Sequence, residues 1–214
     1  MKRWALVTVF LYAIVISILA APLLWLFWDG SSSEAFEVFF LFLLPVLVAI
    51  QAILLLVPVA VARRRPVKKR TAATSATAGA FLMAVLLSCS VLFVLNMLLG
   101  EDTAGGDAFG WILLGLLASL WLFWGVFFFR SFTADDPESL TDNIMRWLLR
   151  GSILEILIAI PAHILARHRN ECCAPGLTIL GLITGIAVSV MAFGPGLFFL
   201  FAARVKEKRV AGAP

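Results

Sequence analysis

Residues 36–70 read FEVFFLFLLPVLVAIQAILLLVPVAVARRRPVKKR. The first part is apolar for longer than the ~20 residues a helix needs to cross the hydrocarbon core of a bilayer. It interrupts its apolar run with Pro45, Gln51 and Pro58, then turns abruptly into Arg63-Arg64-Arg65-Pro66-Val67-Lys68-Lys69-Arg70. Hydrocarbon accepts no such run of cations, whereas the headgroups of a cytoplasmic leaflet do. One greasy segment ending in one basic loop therefore sets the reading for the whole chain.

Composition extends that reading. Of 214 residues 62% are hydrophobic and 14% charged, and the mean hydropathy is +1.03. Soluble domains carry about 45–50% apolar and about 25% charged residues, so one water-soluble core cannot hide this excess. Lipid is the solvent this composition requires. Eighteen phenylalanines against one tyrosine fit lipid-facing helices. The net charge of +4 raises nucleic acid as a partner, but no surface interleaving aromatic and basic residues for base stacking is present. Holding loops on the cytoplasmic side explains the basic residues instead. Three cysteines make no disulfide framework.

The pattern predicts an all-α single transmembrane domain over residues 1–214, with spans at about 4–28, 36–62, 72–99, 108–129, 147–166 and 175–203. The first follows Met-Lys-Arg, but its apolar stretch exceeds the 7–15 residues of a signal-peptide core, which favours a retained span. Between the fourth and fifth spans, residues 137–147 are expected to form an interfacial amphipathic helix. Asp136-Pro137-Glu138 is a helix start, and Leu140, Ile144, Trp147 and Leu148 recur at helical spacing opposite Asp142, Asn143 and Arg146. In the sixth span, Gly181 and Gly185 form a close-packing pair, and Gly194-Pro195-Gly196 is expected to bend the helix. Gln51 and Asn96 are expected to make interhelical hydrogen bonds.

Six spans with the N-terminus inside leave 15 of the 17 basic residues on the cytoplasmic side and only Arg167 and Arg169 outside. If the fifth stretch only dipped into the membrane, the balance would be 13 against 4. The positive-inside rule thus selects six crossings with both termini cytoplasmic.

The chemistry concentrates in residues 155–173. Glu155 is the one carboxylate well inside an expected span, where an ionisable group costs at least about 2.5–3.5 kcal/mol on insertion scales unless relieved. His163 follows eight positions later, about 80° round an ideal helix, on the same side as Glu155. Ser152, Ala159, Ala162 and Ala166 form a stripe of small residues for close packing. His163, His168, Cys172 and Cys173 supply two imidazoles and two thiols, donors that suit Zn or Cu ions. Three readings stay open: soft-metal binding or transport near the outer face, thiol redox at the vicinal cysteines, or an ordinary wet loop beside packing residues. A different class of function, a non-catalytic accessory subunit with membrane-protein partners or a homo-oligomer, uses the same small-residue faces. P-loop, Rossmann glycine and H-E-x-x-H zinc patterns do not occur.

The runs Leu154-Glu155 to Pro161-Ala162-His163, Cys172-Cys173-Ala174-Pro175-Gly176 and Ala192-Phe193-Gly194-Pro195-Gly196 resemble those of uncharacterised bacterial multi-pass inner-membrane proteins. The resemblance covers the last third of the chain. It implies a bacterial inner membrane and carries no assigned activity.

Overall fold

The computed structural model describes residues 2–26, 37–62, 66–99, 107–132, 138–168 and 174–211. Among them there is no strand, and six helical segments are long and apolar enough to cross a membrane. The protein is an all-α membrane bundle.

α1 is Lys2–Leu26. The second crossing is assembled from pieces: a π-helical turn at Phe39–Leu43, then α2 (Leu44–Leu54) and α3 (Leu56–Ala62). Its prolines explain this. Pro45 has no N–H for the carbonyl four residues back, and the turn before it widens, with Leu44 N–H bonded to Phe39 O. Pro58 likewise leaves the Leu54 carbonyl without its usual donor, and the helix is interrupted at Leu55. Near the interruption the Ser75 hydroxyl donates to Ile53 O at 3.2 Å.

α4 (Lys69–Leu99) and α6 (Glu138–His168) are the long central helices, 31 residues each and so about 46 Å long. They approach closely where glycine permits it. A Cβ at Gly79 would stand 2.7 Å from Ile144 Cγ2, and one at Gly151 would stand 3.0 Å from Met83 Sδ. Around these contacts lies the main core, with Leu86, Phe128, Leu140 and Leu148 all sealed from the surface.

α5 (Asp107–Arg130) packs on α4 from outside, and most of its apolar side chains face outward: Trp111 is 75% and Leu122 70% exposed. Exposure on that scale is ordinary for a helix whose solvent is hydrocarbon. α7 (Ala174–Ala192) and α8 (Gly194–Ala211) make the sixth crossing, interrupted at Phe193. There Pro195 has no N–H for Met191 O, and Phe193 N–H bonds Val190 O in a tightened turn. The rings of Trp4 in α1 and Phe201 in α8 stack at 5.3 Å. The start of the first helix therefore lies beside the middle turns of the last one.

One element differs from expectation in form. The amphipathic segment from residue 138 and the fifth span are a single continuous helix, α6. It runs without a break through residue 147 and through Gly151, which is buried where α6 meets α4. The amphipathic faces are as the spacing requires: Leu140, Ile144 and Leu148 are buried, while Asp142 and Arg146 are exposed. Asn143 Nδ2 donates to Ser131 Oγ at 2.8 Å, and the Arg150 guanidinium sits over the Trp147 ring at 5.1 Å.

Candidate functional site

The site lies between α6 and α7. The buried positions of α6 in this region are Gly151, Ser152, Glu155, Ala159, Ala162, His163 and Ala166, which lie along one stripe of the helix. All but Glu155 and His163 are small, so α7 can come close. It does so antiparallel, with its own small residues turned inward.

Glu155 sits where the two small faces meet. Its carboxyl is fully buried, and neither oxygen has a hydrogen-bond partner among the described residues. A Cβ at Gly181 would collide with the Phe93 ring of α4 and lie 3.6 Å from Glu155 Oε1. One at Gly185 would stand 2.8 Å from Ile156 Cγ1 and 3.4 Å from Glu155 Oε2. The glycine pair of α7 is thus the wall against which the carboxyl rests. Phe93, Ala159 and Ala162 form a small separate core with Cys89 packed against it.

Polar side chains continue along the same interface on either side of the carboxyl. Toward one end, Ser152 Oγ lies 2.8 Å from Ser189 Oγ. Toward the other, His163 Nδ1 lies 2.9 Å from Thr178 Oγ1, about 12 Å along the helix from Glu155 at the usual rise. Beyond His163 the interface opens into a groove of about 550 Å3, lined by Ile160, His163, Ile164, Arg167, His168 and Leu182. His168 and Arg167 are exposed at its mouth.

A further polar residue is sealed at the helix interruptions. Gln51 of α2 is fully buried, and a Cβ at Gly194, the first residue of α8, would collide with Gln51 Nε2. The interhelical hydrogen bond expected of Gln51 is not formed: neither amide atom has a partner among the described residues.

Of the residues singled out in the sequence, Glu155 and His163 are brought to one buried face, and His168 joins His163 on one groove. Cys172, Cys173 and the side chain of Asn96 lie outside the described residues. Among the described residues, no group of three or more His, Cys, Asp or Glu side chains converges in a way that could hold a metal ion. Sequence reasoning did not find Thr178 or Ser189. Small hydroxyl residues are common in membrane helices, and only the pairing of α6 with α7 distinguishes these two.

No family model, curated protein or solved structure matches the chain. Fold and site together define a class: a multi-pass α-helical membrane protein with a carboxyl enclosed between two of its helices.

Proposed function

We propose that the chain is a multi-pass protein of the bacterial inner membrane, with both termini in the cytoplasm, that moves protons through Glu155. The observation that carries this reading is the Glu155 carboxyl itself, buried against Gly181 and Gly185 with no hydrogen-bond partner among the described residues. Ionisable residues inside membrane spans are rare, and they mark ion paths and proton relays more often than packing contacts. The carboxyl is tolerated there as a neutral acid and is costly as an anion, so each gain and loss of a proton changes its fit to the site.

The surroundings support a path. The groove at His168 and Arg167 gives access to His163, an acid–base group suited to passing protons. Ser152 and Ser189 extend the polar line past Glu155. Gln51 then lies where α2 meets α3 and α7 meets α8, and discontinuous helices meeting inside a bilayer commonly frame ion sites. The distribution of basic residues supports the orientation, and the resemblance of the last third of the chain supports the bacterial inner membrane.

A soft cation is the second reading, favoured by His163 and His168 lining one groove. In it, Cys172 and Cys173 complete a donor set for Zn or Cu at the outer face.

Proteoliposomes carrying an internal pH dye separate these readings. Under an imposed membrane potential the wild type is expected to acidify or alkalinise the lumen well above empty vesicles, and Glu155→Gln to lose that flux. Flux indistinguishable from that of empty vesicles sinks the proton reading. Stoichiometric Zn or Cu in the purified protein, lost in a Cys172→Ser, Cys173→Ser variant, establishes the second.

A further inference from the structure

On the side of α4 that faces α5, and away from Glu155, the two helices leave an outward-facing groove of about 520 Å3. Its floor is built from residues too small to fill it, including Ala73 and Ala76 of α4 and Gly125 of α5. Trp121 and Phe129 stand as its walls. Trp121 is fixed in place, because its Nε1 donates to Thr77 O at 3.1 Å and its ring meets Phe81 edge-on at 5.7 Å. One end of the groove is closed by Arg130, the exposed last residue of α5. The helices run antiparallel, so the first turn of α4, with exposed Lys69 and Arg70, lies at that same end.

In a membrane-spanning chain, what occupies an outward apolar groove between two spans is hydrocarbon. The cations at its end stand where the span meets the headgroups. Guanidinium binds phosphate through paired N–H donors, and juxtamembrane basic residues attract anionic lipid. We propose that this groove is a binding site for an anionic phospholipid, one acyl chain lying along the Ala73–Ala76–Gly125 floor and the phosphate resting on Arg130. The site is independent of Glu155.

Native mass spectrometry of delipidated protein, reloaded with phosphatidylglycerol or with phosphatidylcholine of the same chains, tests it. The wild type is expected to retain more phosphatidylglycerol. Arg130→Gln should reduce that preference about fivefold, the equivalent of about 1 kcal/mol for one basic residue near an anionic surface, and Arg130→Lys should keep most of it. Gly125→Leu should lower retention of both lipids. A Cβ there meets only Ala80 Cβ at 3.9 Å, so the leucine is accommodated at the backbone and places its volume in the groove. Arg146→Gln, an exposed cation outside the groove, should change nothing, and inorganic phosphate should not displace the lipid. Equal retention of both lipids by the wild type overturns the proposal. So does an Arg146→Gln effect as large as that of Arg130→Gln, which would reduce the preference to diffuse surface charge.

Discussion

Glu155 of α6 and Gly185 of α7 meet so closely that a Cβ on the glycine would stand 3.4 Å from Glu155 Oε2. The relationship joins two features that are separate in the sequence: an ionisable residue in a span and a small-xxx-small pair in the next helix. One shields the other. Lipid is kept from the carboxyl because the glycines let α7 cover it.

The first prediction concerns that contact. Gly185→Val places a branched side chain against Ile156 Cγ1, where even a Cβ would stand at 2.8 Å. Overpacking of this kind costs about 1–3 kcal/mol, and thermal unfolding in detergent should show it. Gly115→Ala is the counterpart: nothing lies within 4 Å of a Cβ there, and the change should stabilise by about 0.5–1 kcal/mol. Equal effects at the two positions would mean that α6 and α7 do not pack through their small faces.

Glu155→Leu separates stability from activity. Removing a buried polar group that lacks a partner is expected to leave the protein as stable as the wild type or to gain up to about 1–3 kcal/mol, while proton flux is lost. A large drop in melting temperature would reveal a structural partner for the carboxyl and so weaken its assignment to a path.

Gln51 and Gly194 should be energetically coupled. Gly194→Ala forces the Gln51 amide from its seat, and Gln51→Ala relieves the collision. The double variant should therefore be more stable than the sum of the single changes implies, by about 0.5–3 kcal/mol, the range for residues in contact. Additive effects in such a cycle would dissociate the two interrupted crossings.

Orientation can be read from thiols. Under the proposed topology Cys172 and Cys173 react with a membrane-impermeant reagent added outside intact cells. Cys89, packed beside Phe93, Ala159 and Ala162, does not. Reaction of the vicinal pair only after permeabilisation would reverse the topology.

Much of this architecture is visible in the sequence because a bilayer imposes a length and a polarity on every crossing. The six apolar runs, Glu155 inside a span, the small-residue stripe of α6 and a disturbance of the last crossing near Gly194 all follow from that constraint. Pairing does not. Nothing local in the sequence joins Ser152 to Ser189 or His163 to Thr178, since any hydroxyl in a neighbouring helix would satisfy the same need. The end of the amphipathic segment was equally hidden. The amphipathic pattern and the apolar run after it read as two elements, and no residue between them signals that one helix carries both. Gln51 shows the opposite failure, because the general habit of amides in membranes pointed to a hydrogen bond and neither amide atom has one among the described residues.

The most direct test of the central claim is infrared difference spectroscopy of the reconstituted protein across a pH jump. The account predicts a carbonyl band from a protonated carboxyl that appears and disappears with pH, shifts in heavy water and is missing in Glu155→Gln. A spectrum in which the wild type and Glu155→Gln are the same would contradict it.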